Sequence, residues 1–179
     1  GNFYVNSKQF ANRYIAKYNG FIWFELGGTF ELGANEAILS ICKDKDGNIY
    51  AAGHFNKSNK LYVSKFNNNV WTTLGEFNTA PNAIPGSSYI TSLCIDGSNN
   101  LYAAINHTGK CYVAKFDGNN WSELGGANSL KADVITSICN DKYGNIYAAG
   151  WIKNSNDNYY VAKYDGTTWS ELGGTNALK

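Results

Sequence analysis

The chain has 179 residues, of which 44% are hydrophobic, 15% are aromatic and only 16% are charged, and its formal net charge is +1. This composition suits one folded domain rather than a disordered chain, and the near-neutral charge excludes an electrostatic surface for nucleic acid. No apolar run approaches the roughly 20 residues that a membrane helix requires, so we expect no membrane insertion.

A tryptophan-centred unit recurs four times along the chain. Trp23, Trp71, Trp121 and Trp169 follow one another at intervals of 48, 50 and 48 residues, and each opens a similar hexapeptide, such as WFELGG or WSELGG. Self-similarity at a period of about 48 residues is typical of repeat architectures. Because the tryptophan is present in every copy, we predict that it anchors each repeat by packing on the neighbouring one.

Each full repeat contains four short strand-like runs, which we label A to D in chain order. In the last repeat they cover residues 135–139, 145–149, 160–164 and 169–172, separated by turns rich in Asn, Asp and Gly. No window shows a helical period with caps. Four strands per unit predict the blade of an all-β propeller, with strand A nearest the axis. We predict one domain over residues 1–179, with blades at 2–28, 38–75, 90–126 and 135–174.

The first repeat departs from this pattern because it has no strand A. The chain stops at residues 175–179, which match residues 127–131 and would precede another strand A. Three interpretations stay open at this point. The ring closes with one inner strand absent, or a homodimer of two chains completes a larger ring of eight blades, or the chain is a fragment of a longer propeller.

Two motifs of the repeat resemble a known group of proteins. The pattern D-x-x-G-N-x-Y-A-A-G occurs at residues 44–53 and 141–150, and Y-V-A-K followed by D-G-x-x-W-S-E-L-G-G occurs at 112–126 and 160–174. Together they resemble the SBBP and NHL repeats of secreted bacterial β-propeller proteins. The resemblance implies a β-propeller and an extracellular or cell-surface location, with the chain a mature fragment without its signal peptide. It implies little about activity, because this fold hosts many functions.

No catalytic constellation is evident in the sequence. Arg13 is the only arginine, and His54 and His107 are the only histidines. The glutamates after each tryptophan recur with the repeat, whereas the acid–base pair of a glycoside hydrolase should be unique. We therefore expect no enzyme activity, although a glycan hydrolase or lyase remains the less favoured alternative.

We also expect no metal and no cofactor. The Asp-rich turn that begins at Asp44 lacks the acidic residue that would complete a calcium loop, since Phe55 occupies that position. Cys42, Cys94 and Cys139 take equivalent places on the A strands, so they should not face one another in disulfide pairs. We interpret them as small apolar fillers.

The candidate ligand site is the face built from the B–C and D–A loops, where the copies differ most. One equivalent position is occupied by four different residues, Lys8, His54, Asn106 and Trp151, and the last B–C loop adds Asn154 and Asn156. Amides beside an exposed aromatic ring suit a neutral sugar. We predict a non-enzymatic, lectin-like binding or scaffold module with a glycan or protein ligand. The alternative is a purely structural or oligomerisation propeller.

Overall fold

Strands follow one another along the chain with short turns between them. The computed structural model describes residues 13–27, 32–57, 60–78 and 88–174. The first repeat contributes β1 (Ala16–Tyr18) and β2 (Trp23–Glu25). The second contributes β3 (Ile38–Lys43), β4 (Ile49–Gly53), β5 (Asn56–Lys57), β6 (Lys60–Asn67) and β7 (Val70–Asn78). The third contributes β8 (Tyr89–Ile95), β9 (Leu101–His107), β10 (Lys110–Phe116) and β11 (Trp121–Glu123). The fourth contributes β12 (Ala132–Asn140), β13 (Ile146–Ile152), β14 (Ala162–Tyr164) and β15 (Trp169–Glu171).

Each repeat forms its own antiparallel sheet, which we call a blade. The third and fourth blades are four-stranded meanders in chain order, and the second adds the short strand β5 beside β6. The described part of the first blade is the pair β1–β2, which corresponds to strands C and D. The predicted β-propeller is confirmed, with four strands in the third and fourth blades and five in the second. The front of the first predicted blade, residues 2–12, lies outside the described residues.

A recurrent bulge shapes the inner strand of each of the last three blades. The register of β3 on β4 shifts between Ile38 and Ser40, and the A–B pairs of the third and fourth blades shift at the equivalent place. The bulge turns a serine toward the next inner strand, where Ser40 Oγ accepts a hydrogen bond from Leu93 N at 2.9 Å. Ser92 Oγ accepts in the same way from Ile138 N at 3.1 Å. Strands A are therefore neighbours, as expected for strands nearest the axis.

The core lies between the blades, not within them. Three apolar clusters separate the first blade from the second, the second from the third, and the third from the fourth. Side chains alternate along β9, so that Ala103 and Ile105 face the second blade while Tyr102 and Ala104 face the fourth. The third blade is consequently covered on both faces.

Helices are absent from the ranges that the structure describes, and so is any helix that could cross a membrane.

Candidate functional site

The turn between strands A and B is built in the same way in three blades. In the third blade, Asp96 Oδ1 accepts from Asn100 N at 3.0 Å, and Asp96 Oδ2 accepts from Asn100 Nδ2 at 2.7 Å and from the Tyr102 hydroxyl at 3.0 Å. Asp44 and Asp141 make the equivalent bonds to their own Asn and Tyr partners. Both carboxylate oxygens are thus used by the turn.

These hydrogen bonds stabilise the charged form of each turn carboxylate. Burial alone would raise the pKa of Asp44 and Asp96, but bonds from the Asn and Tyr partners outweigh it, and the pKa of each lies below its ordinary value. At Asp141 the bond from Asn145 makes the largest contribution and holds the pKa at about 2.

A contact that we call the Trp–Leu-Gly lock joins each of the last three blades to the one before it. The indole Nε1–H of Trp71 donates to Leu26 O at 2.9 Å, and the same bond joins Trp121 to Leu74 O at 2.7 Å and Trp169 to Leu124 O at 3.0 Å. The next residue is always a glycine with positive φ: +92° at Gly27, +62° at Gly75 and +84° at Gly125.

The glycine of the lock leaves room for the indole ring. A methyl group added at Gly27 would lie 2.6 Å from Trp71 Nε1, and one added at Gly75 would lie 2.7 Å from Trp121 Cδ1. Three of the four predicted anchors therefore bridge two blades. The fourth, Trp23, is 66% exposed and contacts Tyr18 within its own sheet, with 5.2 Å between ring centroids.

Asn106 and His54 were predicted to contribute to a ligand face, but in the structure each contacts the blade that follows its own. Asn106 is only 2% exposed, and its amide donates to Ile135 O at 2.7 Å and accepts from Ile135 N at 2.7 Å. The His54 ring stacks on Tyr89 with 4.6 Å between centroids. Both therefore belong to blade junctions rather than to the open surface. The fourth residue predicted at this position, Lys8, lies outside the described residues.

Trp151, the remaining copy of that position, is 60% exposed and lines an open cavity of about 360 Å³ between the third and fourth blades. The cavity is formed by the β9–β10 turn, the loop between the two blades and the end of β13. These are the B–C and D–A segments of the sequence prediction. Its polar lining residues are Lys110, Asn128, Lys131, Asp133 and Lys153.

The charges around this cavity are balanced. Lys110 Nζ lies 2.5 Å from Glu123 Oε2, and Glu123 Oε1 accepts from Asn128 N at 2.7 Å. Lys153 Nζ lies 2.7 Å from Asp157 Oδ1. These pairs hold the lysine side chains at the rim while leaving the lining with both hydrogen-bond donors and acceptors.

The two asparagines predicted in the last B–C loop shape its turn. Asn154 Oδ1 accepts from Asn156 N at 3.0 Å and from Asn158 N at 3.1 Å, while Asn154 Nδ2 donates to Glu171 Oε2 at 3.1 Å. Asn154 is therefore engaged on both amide atoms, and Asn156 lies exposed on the turn.

The lining residues missed by the sequence prediction lie in the correct loops but differ between copies. Lys110, Lys131, Asp133 and Lys153 were not singled out because no motif distinguishes them from ordinary surface residues. The sequence held one indirect indication of these lining residues. Lys110 on strand C pairs with Glu123, the glutamate that recurs after the tryptophan of strand D.

All four cysteines are free thiols, and no group of three His, Cys, Asp or Glu within the described ranges could hold a metal ion. Burial, with smaller contributions from neighbouring Cys42 and Cys139, raises the pKa of the Cys94 thiol to about 12. Burial likewise raises the pKa of Cys42 to about 12. Cys42 and Cys94 therefore remain protonated at neutral pH.

Separate blades that are joined in series around their inner strands define a β-propeller. The chain belongs to the family described as the DUF6242 beta propeller domain, whose model matches residues 7–178. This match confirms a β-propeller family, whereas the SBBP and NHL repeat classes stay a prediction. No curated protein matches the chain.

Comparison with solved structures found the following two among those similar to this chain. A fucose lectin from Kordia zhangzhouensis in complex with methyl-fucoside is 18% identical, with a TM-score of 0.49 and coverage of 76% of this chain and 99% of the lectin. A gluconolactonase from Xanthomonas campestris is 12% identical, with a TM-score of 0.52 and coverage of 92% of this chain. The chain spans 53% of the length of that gluconolactonase. At these identities the likeness concerns the fold alone.

Proposed function

We propose that the chain is a non-enzymatic carbohydrate-binding module and that its ligand site is the cavity between the third and fourth blades. The observation that carries this proposal is the exposed Trp151 at a cavity lined by five polar side chains, those of Lys110, Asn128, Lys131, Asp133 and Lys153. An exposed indole beside polar side chains offers a flat apolar face on which a ligand can stack. A sugar ring offers an apolar C–H face to an indole and hydroxyl groups to polar neighbours.

The lining chemistry favours a neutral sugar over an acidic one. Hydroxyl groups both donate and accept hydrogen bonds, so they match a wall that combines lysine donors, the Asn128 amide and the Asp133 carboxylate. Two of the three lysines already have carboxylate partners, Glu123 and Asp157. The cavity volume of about 360 Å³ lies at the lower end of the usual range for ligand sites, which suits a mono- or disaccharide.

Binding without turnover is the favoured activity because the cavity has one lining carboxylate. Asp133 is the only Asp or Glu among the described lining residues. Hydrolysis of a glycosidic bond ordinarily uses two carboxyl groups on opposite sides of that bond.

The test is a binding screen of the folded chain on immobilised neutral and acidic mono- and disaccharides, followed by calorimetry with the best binder. We expect Trp151→Ala to weaken binding at least tenfold, because stacking on the indole is lost. Lys131→Ala should weaken it less. Tyr143→Ala is the matched control, since Tyr143 is a comparably exposed aromatic residue outside the cavity lining.

Equal affinity of the Trp151 and Tyr143 variants would overturn the site, and failure of the wild-type chain to bind any sugar would overturn the function. Mass spectrometry of the sugar after incubation checks the non-enzymatic part. A new product would show turnover and replace binding by catalysis. Matching melting temperatures of the variants would show that the fold is retained.

A further inference from the structure

The lock has two halves, the tryptophan and the Leu-Gly pair, and one half lies at each end of the described fold, where no described blade covers it. Trp23 on the first blade is 66% exposed, whereas its counterpart Trp71 is 8% exposed. Leu172 on the fourth blade is 41% exposed, whereas its counterpart Leu124 is 8% exposed. Gly173 follows Leu172 with a φ of +81°, the same left-handed conformation as the three lock glycines.

The surfaces around these two half-locks are exposed, whereas the equivalent surfaces of the other blades are covered by a neighbouring blade. On the outer face of the fourth blade, Tyr147, Ala149 and Val161 are partly exposed, while the corresponding side chains of the third blade are buried. On the inner strand of the second blade, Ile41 is exposed, while its counterparts on β8 and β12 are buried. The end faces thus have the composition of a blade junction, not of an ordinary surface.

We propose that a second copy of this chain docks head to tail on these faces. Trp23 of one copy packs on Gly173 of the next and donates its Nε1–H to Leu172 O. The occupant is a second copy because the complementary half of the lock is carried by the same chain, in the same local conformation as three junctions already formed. The contact is heterologous, so it forms a closed ring or an open array according to the rotation between blades.

Native mass spectrometry and sedimentation velocity over a wide range of protein concentration test the proposal. We expect the wild-type chain to form dimers or larger assemblies. Trp23→Ala removes one half of the lock, and Gly173→Ala places a methyl group where the indole would lie, so each should weaken assembly at least tenfold. Phe21→Ala is the matched control, because Phe21 is 89% exposed on the turn before Trp23 but has no counterpart in the lock.

Mixing the two defective variants distinguishes head-to-tail docking from other contacts. Trp23→Ala retains an intact Leu172–Gly173 half, and Gly173→Ala retains an intact Trp23. An equimolar mixture should therefore form a one-to-one pair and nothing larger. The mass difference between the variants identifies this mixed pair directly.

Three outcomes would overturn the proposal. The wild-type chain could remain monomeric at every concentration. Gly173→Ala could leave assembly unchanged while Trp23→Ala abolishes it, which would indicate that two Trp23 faces meet each other. Phe21→Ala could weaken assembly as much as Trp23→Ala, which would indicate unspecific apolar association. Unchanged melting temperatures would show that the variants are folded, and Gly109→Ala provides a control for a methyl group on a left-handed glycine with open space around it.

Discussion

At the scale of single residues, the Asp–Asn–Tyr turn is the most regular feature of the chain. The carboxylate of Asp96 is buried, yet it stays charged because the amide and hydroxyl of its own turn surround it. Asp44 and Asp141 repeat this solution in their blades. A charge satisfied by local partners costs little to bury, and it links strands A and B wherever it occurs.

The turn makes stability depend on pH in the acid range. Since the pKa of each turn carboxylate is lower in the folded chain than its ordinary value of 3.8, the stabilisation is complete above that value and is lost as the pH falls through the lower folded-state pKa, which is about 2 for Asp141. We expect Asp96→Asn to lower the free energy of unfolding by about 1–3 kcal/mol at pH 7. This loss of stability should shrink as the pH falls below 3.8, because the carboxylate of the wild-type chain becomes protonated.

Urea unfolding at a series of pH values measures this effect. Tyr102→Phe keeps the ring and removes one hydrogen bond to Asp96, so it should give a smaller change with the same dependence on pH. Parallel curves for the wild-type chain and Asp96→Asn from pH 7 to pH 2 would contradict the role assigned to the carboxylate.

At the scale of elements, the blades are joined by strands A and strands D at once. Serines at the bulges of strands A accept hydrogen bonds from backbone N–H groups of the next strand A, as Ser40 does from Leu93. In the last three blades, the tryptophan of strand D reaches back to the leucine at the end of the preceding blade's strand D, as Trp121 does to Leu74. Two separated contacts determine the position of one sheet on another better than either contact alone, with the apolar cluster between them supplying most of the stabilisation.

We expect Gly75→Ala to destabilise the chain by about 1–3 kcal/mol more than Gly109→Ala. Both glycines have positive φ, at +62° and +83°, so both variants carry the strain of a left-handed alanine. Only the methyl group at residue 75 would meet the Trp121 indole, whereas the space around Gly109 is open. Chemical unfolding of the two variants measures the difference, and equal losses would remove the steric role of the glycine in the lock.

At the scale of the whole molecule, stability should be distributed as in other repeat proteins, with each blade supported mainly by its neighbours. The third blade is buried against a blade on both sides. The described strands of the first blade have a neighbour on one side, the second blade. Opening should therefore begin at the ends.

Hydrogen exchange followed by mass spectrometry tests this gradient. We expect amides of β8 and β9 to exchange slowest, and those of β1–β2 and β14–β15 to exchange fastest. If copies dock head to tail, protection of β1–β2 should also rise with protein concentration. Uniform protection of all four blades at low concentration would contradict the nearest-neighbour description.

The sequence by itself determined the repeat, the order of strands A to D within it and the place of the turns between them, but not the short additional strand β5. These features depend on residues close in the chain: the alternation along a strand, the Asp-to-Asn turn and the glycine after each Leu. Strand limits were less accurate. Strand C of the last blade begins at Ala162 rather than at residue 160, while β12 starts at Ala132, before the predicted residue 135, because the bulge lets pairing continue past it.

Only the tertiary structure decided what the variable position means. His54, Asn106 and Trp151 occupy the same place in the repeat, and their difference in sequence was compatible with a ligand face. In the fold, His54 meets Tyr89 and Asn106 meets Ile135, while Trp151 stays 60% exposed beside a cavity. The physical reason is that the next sheet sets the surroundings of a side chain that faces out of its own sheet. The contacting residues lie far apart in the chain, 29 residues in the case of Asn106 and Ile135, so local sequence does not reveal the contact.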